Sequence, residues 1–208
     1  MDGESGLTKN RVETLTDGIF AVAMTLLVLN INVPEISSHS TSIIETELAK
    51  RLFDLWPKVL SYGISFVILA IYWRAHHRQF HYVKHTDGVL IWINVMFLMA
   101  ICLLPFSTSL IGQYRGQQLS IFVYGGNSII IAFLFYIQWR YSTNQYRLVD
   151  KNLDPYIKKM LPTRLLFGIL IYLIAIGVSF LYTHLSIFLF TLMVIPGFFP
   201  NKMIHRKS

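Results

Sequence analysis

The chain has 208 residues, of which 54% are hydrophobic and only 14% are charged, with a formal net charge of +7. A soluble domain usually carries about 25% charged residues, so this composition excludes an ordinary soluble protein and favours the bilayer as solvent. The single cysteine, Cys102, excludes an intrachain disulfide and a cysteine-based metal site. The GxxxxGK(S/T), GxGxxG and HExxH motifs do not occur, which leaves nucleotide-driven pumping by this chain without support.

Long apolar runs recur along the whole sequence, and each approaches the roughly 20 residues that a helix needs to cross the hydrocarbon core. We therefore expect an all-α membrane protein, with residues 1–208 forming a single domain of six transmembrane helices per subunit. The expected spans are 12–33, 57–76, 88–111, 119–140, 163–182 and 184–200. Pro105 could kink the third span, and Thr183-His184 would form a tight hairpin between the last two.

The basic residues predict how the spans are oriented. Fourteen of the eighteen Lys and Arg residues fall in the N-terminal segment, the loops after spans two and four, and the C-terminal tail. Because basic loops stay in the cytoplasm, both termini should be cytoplasmic, in a multi-pass protein of the cell membrane. The positive charge is thus a signal of topology, and we expect no nucleic-acid partner.

The first span begins with charges and continues as bare hydrocarbon. Arg11 and Asp17 precede an uncharged run from Gly18 to Val33. An ionised group in the membrane is costly unless it is paired, so Asp17 marks a candidate functional site. Its candidate partners on spans two and three are His77, Asn94 and Trp92. The alternative is ordinary helix-start chemistry, with Asp17 near the helix N-terminus and Arg11 reaching the headgroups.

Further along the first span, one stripe of side chains is suited to an ion pathway. Val22, Thr25 and Leu29 fall within it at 100° per residue, with Leu26 at its edge. If copies of this helix surround an axis, these residues form stacked rings; apolar rings gate ions by dewetting, and Thr25 adds hydroxyls. The alternative is a buried packing seam, which the same spacing also describes.

Two other segments have an expected structure but no assigned chemistry. A short helix should precede span two, because a capping box at Ser42-Glu45 is followed by apolar residues at helical spacing. The histidines His76, His77, His81 and His85 have the spacing of metal ligands but are surrounded by basic residues. Without a complete ligand set, hydrogen bonding at the inner mouth is the favoured interpretation, and we predict no metal site.

The sequence from Arg11 to Gly18, RVETLTDG, followed by IFAVAMTLLVL, resembles the first-helix signature of the transmembrane protein 175 family. This family comprises prokaryotic and lysosomal potassium channels. Its pattern is Arg, three variable residues, then Phe-Ser-Asp. Arg11, Asp17 and Gly18 match, while Leu15 replaces the Phe and Thr16 replaces the Ser. The resemblance extends to the six-span single repeat and to Trp73 with His76-His77 at the end of span two.

The resemblance implies a homotetramer in which the first helix of each subunit lines one central pore. It places the apolar constriction at Val22, Leu26 and Leu29, with Thr25 close by. It also implies a network that holds helices one to three together. We assign five residues to that network: Arg11, Thr16, Asp17, His77 and Asn94.

The expected function is a passive, potassium-preferring channel for monovalent cations that needs no cofactor. We predict no enzymatic activity, because the spans contain neither a catalytic triad nor paired carboxylates. Two alternatives remain open at this point. A secondary transporter, coupled to cations or protons, would need midplane ionisable groups or broken helices in paired repeats. A non-conducting membrane scaffold would carry no potassium current.

Overall fold

The computed structural model describes residues 8–36, 41–114 and 116–192. Helices account for nearly all of this part of the chain. The α-helices are α1 Lys9–Val28, α2 Thr41–Asp54, α3 Trp56–Tyr82, α4 Gly88–Cys102, α5 Leu104–Gln113, α6 Gln118–Thr143, α7 Pro155–Val178 and α8 Thr183–Leu192. Within the described ranges there is no β-strand, and Val83 and Val149 form one isolated antiparallel bridge. The all-α fold class is thereby confirmed.

Four helical segments are long and apolar enough to cross a membrane: 45–82, 88–113, 118–146 and 155–178. They contain most of predicted spans two to five. The first helix, α1, does not reach this standard because its 20 residues include Lys9, Arg11, Glu13 and Asp17. The last helix, α8, is apolar but short, and residues 193–200 of the sixth predicted span lie outside the described residues. A count of six spans therefore stays a prediction.

The first span is shorter than predicted. α1 ends at Val28 rather than at residue 33, because the backbone N–H groups of residues 29 to 31 bond to carbonyls only three residues back. The side chain of Asn30 then donates to the Pro105 carbonyl oxygen at 2.9 Å. This hydrogen bond attaches the end of α1 to the first turn of α5.

The third predicted span is divided into two helices near Pro105, where a kink was expected. α4 ends at Cys102 and α5 begins at Leu104, so Pro105 occupies the first turn of a new helix. A proline fits there because a first-turn N–H has no partner inside the helix.

The predicted hairpin between spans five and six is displaced. α7 starts at Pro155, eight residues before the predicted 163, because the Asp154 side chain accepts the Tyr156 backbone N–H at 2.8 Å and caps the helix. It ends at Val178, four residues before the predicted 182. The turn is therefore formed by residues 179–182, and Thr183 already belongs to α8. In the antiparallel pair, the Ser186 hydroxyl donates to the Ala175 carbonyl oxygen at 2.6 Å.

The helix predicted ahead of span two is present as α2. Its Arg51 side chain pairs with Glu47 and donates to the Glu35 carbonyl oxygen at 2.7 Å. That second bond ties α2 to the extended segment that follows α1.

Candidate functional site

One face of α1 is buried against the rest of the protomer. Val12, Thr16, Phe20, Ala23 and Leu27 follow one another at spacings of four, four, three and four, and none is more than 3% exposed. This spacing places all five side chains on one side of the helix. They pack against α3, α4 and α5. The seam therefore fixes the rotation of α1 and turns its other side away from the protomer.

The face of α1 opposite this seam is apolar and exposed. Val22 is 53% exposed, Leu26 42% and Leu29 67%, and Thr25 is exposed as well. These are the four side chains predicted to line a pore. The Thr25 hydroxyl donates to the Val22 carbonyl oxygen at 2.8 Å. Because its proton is used in that bond, the hydroxyl oxygen keeps lone pairs that can face a cation.

A buried polar network joins α1 to three other helices, and Asn94 of α4 lies at its centre. The Asn94 amide group donates to the Thr16 hydroxyl oxygen at 3.2 Å, and its Oδ1 accepts from the Gln138 amide at 2.9 Å. His76 Nε2 lies 2.9 Å from the same oxygen. Oδ1 is an acceptor, so Nε2 carries the proton of this imidazole. None of the four side chains is more than 2% exposed.

Aromatic rings surround His76 in this network. The imidazole stacks on Phe80, with 4.3 Å between ring centroids, and also lies near Phe97 and Phe135. Phe97 in turn contacts Phe20 of the α1 seam. A polar hydrogen bond enclosed by apolar rings is costly to break, because its groups find no water. The network therefore gives α1 a specific axial position and not merely an apolar contact.

Asp17 makes a separate contact on the exposed side of α1. The indole Nε1 of Trp73 donates to Asp17 Oδ1 at 2.8 Å. Trp73 is 42% exposed, and Asp17 is exposed too. This hydrogen bond joins α1 to α3 at the residue that follows Thr16.

Similar proteins are found by sequence. The profile described as endosomal/lysosomal potassium channel TMEM175 matches residues 11–105, which contain the seam, the exposed face and the centre of the polar network. A potassium channel of Chamaesiphon minutus is 34% identical over 181 residues, covering 85% of this chain and 87% of that protein. The chain belongs to the TMEM175 family.

Further relatives agree with this assignment to the TMEM175 family. A potassium channel of Streptomyces collinus is 30% identical over 181 residues, with 85% of each chain covered. Among solved structures, a lysosomal potassium-selective channel TMEM175 homologue from Chamaesiphon minutus superposes with a TM-score of 0.78. It shares 30% identity, over 91% of this chain and 95% of that one. The family is one of ion channels and not of enzymes.

Within this TMEM175 fold, the histidine that reaches Asn94 is His76. The sequence predicts His77 in the network as a candidate partner of Asp17, but His77 is exposed. The reason is helical phase: His76 lies seven residues after the buried Leu69 and four before the buried Phe80, whereas His77 is turned by about 100° from that face. Thr16 and Asn94, both assigned to the network, are hydrogen bonded to each other. Trp92, the other candidate partner, is 67% exposed.

Gln138 and Trp73 are members of these contacts that sequence reasoning did not assign. The signal for Gln138 was present, because it is an uncharged amide inside the apolar run 119–140 and a buried amide requires partners. Trp73 had been noted only as part of the family resemblance. Its indole donor needs an acceptor near the membrane interface, and Asp17 supplies one.

Arg11 lies apart from the network within one protomer. It is exposed on the first turn of α1, and in the described part of the chain it forms no ion pair with Asp17 or another acid. Its helical position is on the exposed face, eleven residues before Val22. A role for Arg11 in the network stays a prediction.

The histidines at the end of α3 do not gather into a metal centre. His81 and His85 are exposed. Among residues 8–36, 41–114 and 116–192, no group of three His, Cys, Asp or Glu side chains is close enough to hold an ion.

Proposed function

We propose that this chain is a potassium-preferring cation channel of the cell membrane, conducting passively through a central pore in a homotetramer. The first helix of each subunit lines that pore, and Val22, Leu26 and Leu29 form its hydrophobic constriction. One observation carries the proposal: α1 is buried and hydrogen bonded on one face and leaves an apolar stripe exposed on the other, in a family of ion channels.

The stripe has the dimensions of a short hydrophobic gate. Seven residues separate Val22 from Leu29, which at the helical rise corresponds to about 10 Å along the axis. Rings of apolar side chains over such a length exclude water unless the passage is wide enough, so a partly dehydrated cation crosses more easily than a fully hydrated one. Thr25 lies between the rings and offers oxygen atoms to the ion. Potassium is favoured over sodium because it holds its hydration shell less firmly.

The basic ends of the helices support an orientation with both termini in the cytoplasm. Arg11 and Asp17 then lie at the cytoplasmic mouth. In this arrangement the network at Asn94 supports the pore without touching the ion, since its side chains are buried within the protomer.

The test is a potassium flux assay on purified protein in liposomes. Leu26→Ala with Leu29→Ala removes two rings of side chains, so we expect a severalfold higher conductance and a lower preference for potassium over sodium. The matched control is Leu170→Ala with Leu173→Ala, two leucines of α7 that are exposed to a similar extent, and it should leave both quantities unchanged.

Three outcomes would contradict the proposal. Equal currents from the α1 double variant and the wild type would remove the constriction from this face. Flux that saturates with potassium and moves protons would indicate a transporter. No potassium current from correctly assembled protein would indicate a scaffold.

A further inference from the structure

A small cavity between α3, α5, α6 and α8 is lined in part by hydroxyl groups. Its volume is about 30 Å³. Ser61 and Ser65 of α3, Tyr124 of α6 and Thr191 of α8 contribute the hydroxyl groups, and the rest of the wall is apolar and includes Phe190. A bound water molecule needs about 10–15 Å³ of such a volume. The cavity therefore accommodates water, whereas an organic ligand or a lipid chain is too large for it.

Two of these hydroxyl groups have already used their protons inside their own helices. Ser61 donates to the Pro57 carbonyl oxygen at 2.9 Å, and Thr191 donates to the Ile187 carbonyl oxygen at 3.1 Å. A hydroxyl group has one proton and two acceptor lone pairs. The Ser61 and Thr191 oxygens can therefore no longer donate, but each can accept a hydrogen bond from a molecule in the cavity.

The other two hydroxyl groups keep a proton. The Ser65 oxygen accepts the Thr108 hydroxyl at 2.8 Å, and Ser65 is also hydrogen bonded to Tyr124. Ser65 and Tyr124 carry two protons between them, and the bond that joins them uses only one. Ser65 is 1% and Tyr124 2% exposed, so leaving the second donor unpaired is costly. Whichever of the two residues donates to the other, one O–H group of the pair remains for a molecule in the cavity.

We propose that this cavity binds a water molecule, which accepts from the Ser65–Tyr124 pair and donates to Ser61 and Thr191. The lining offers one donor and two acceptors, and water completes all three bonds, which matches the usual bonding of buried water in proteins. A potassium ion is the competing guest in a protein of this family. It can bind oxygen lone pairs only, and it would leave the remaining O–H group without an acceptor.

The water molecule would give α8 a second polar attachment. Within the described residues α8 packs mainly on α7, where the Ser186 hydroxyl donates to the Ala175 carbonyl oxygen. A water molecule bonded to Thr191 on one side and to Ser61 on the other connects α8 to α3 as well. Because α3 also packs against α1, α8 is thereby linked to the helix that holds α1.

The experiment detects the water by X-ray radiolysis of the purified protein followed by mass spectrometry. Radiation converts a bound water molecule into a hydroxyl radical, which oxidises the side chains next to it. Phe190 lines the cavity and is 2% exposed, whereas Phe20 is equally shielded at 1% and lies in the α1 seam. We expect Phe190 to be oxidised severalfold faster than Phe20. Equal oxidation of the two rings would show a dry cavity and overturn the proposal.

The salt in the buffer decides between water and potassium. The oxidation rates are measured in potassium chloride and in choline chloride at equal ionic strength. We expect the same Phe190 rate in both, because water occupies the cavity whichever cation is present. A Phe190 rate that falls severalfold in potassium chloride would mean that the ion displaces the water, and the cavity would then be a cation site.

A matched pair of variants locates the site. Thr191→Val replaces one acceptor with a methyl group of similar size, and should lower the Phe190 rate toward that of Phe20. The control is Thr163→Val in α7, because Thr163 makes the same bond to the carbonyl oxygen four residues earlier but does not line this cavity. Unchanged Phe190 oxidation in Thr191→Val, or an equal loss in both variants, would refute the site.

Discussion

The helices α1 and α7 both present apolar side chains to the outside of the protomer, yet they are held in different ways. α1 is buried along a continuous seam and hydrogen bonded through Thr16 to Asn94. α7 has bulky exposed residues on several sides, among them Leu166, Phe167 and Ile174. Exposure alone therefore cannot tell a face toward an axis from a face toward lipid. The fixed rotation of α1 distinguishes the two helices.

The composition of the two faces does not make the same distinction. Lipid-facing surfaces favour large apolar side chains, whereas small residues allow helices to approach each other closely. Gly18 of α1 has open space around its Cα in the protomer, because an added Cβ would meet nothing within 4 Å. A neighbouring copy of α1 could use that space. α7 offers a comparable position at Gly177, where an added Cβ would also meet nothing within 4 Å, so glycine content alone does not distinguish the two helices.

The largest expected effect comes from breaking the attachment of α1. Asn94→Leu leaves the His76 and Gln138 donors and the Thr16 oxygen without their shared partner. We expect a loss of about 2–4 kcal/mol in the free energy of unfolding in detergent, measured by thermal or denaturant unfolding of the purified protein. Asn127→Leu is the control, since the Asn127 amide donates to the Ser107 hydroxyl oxygen across a long 3.4 Å. Similar losses in the two variants would mean that the network does not fix α1.

An effect of intermediate size is expected for the access of water to the exposed faces of α1 and α7. In a Cys102→Ser background, Leu26→Cys and Leu170→Cys each place one thiol on an exposed helix face. A water-soluble thiol reagent attacks through the thiolate, which requires hydration. We expect the cysteine at position 26 to react roughly tenfold faster than the one at 170, and its modification to lower the potassium current.

The same reaction rates can contradict the distinction between the exposed faces of α1 and α7. Equal, slow reaction at both positions would place the α1 stripe in lipid. Fast reaction at 26 without any change in current would mean that the stripe meets water outside the conduction pathway.

Much of the fold followed from the sequence, because apolar run length and charge placement are local properties. The elements from α3 to α7 lie close to the predicted spans, and α1 turns the four predicted residues Val22, Thr25, Leu26 and Leu29 outward. The family signature located Thr16 and Asp17 on the correct helix. The span lengths needed only composition. The pore-lining face of α1 was implied by the family resemblance, because the same spacing also describes a buried packing seam.

The partners across helices could not be predicted in the same way. A choice between His76 and His77 depends on the rotation of α3. Tertiary packing sets that rotation, and two adjacent histidines do not reveal it in the sequence. The end of α1 depends on short-range turns and on the bond from Asn30 to the Pro105 carbonyl, 75 residues away. The proposed homotetramer and its axis would involve contacts between copies, which no property of one chain fixes.

The smallest expected effect concerns Asp87, which precedes α4 and contacts the end of α6 and the loop that follows it. Asp87 caps α4 by accepting the Leu90 backbone N–H at 2.9 Å. It also accepts the Tyr141 hydroxyl at 2.6 Å and lies 3.3 Å from Arg147 Nε. Burial raises the pKa of the Asp87 carboxyl, but these hydrogen bonds and the charge of Arg147 outweigh it and hold the pKa below the ordinary value of 3.8.

A lowered carboxyl pKa means that the ionised group stabilises the folded state at pH values above the unfolded-state pKa. That stabilisation is lost as the pH falls through the lower folded-state pKa. The change of stability with pH is therefore confined to pH below about 4. The thermal midpoint of Asp87→Asn should lie below that of the wild type at neutral pH, and the difference should shrink in acid. Asp150→Asn, which affects an exposed carboxylate bonded to the Asn152 backbone N–H, serves as control. An undiminished difference at low pH would assign the effect to lost shape and packing rather than to charge.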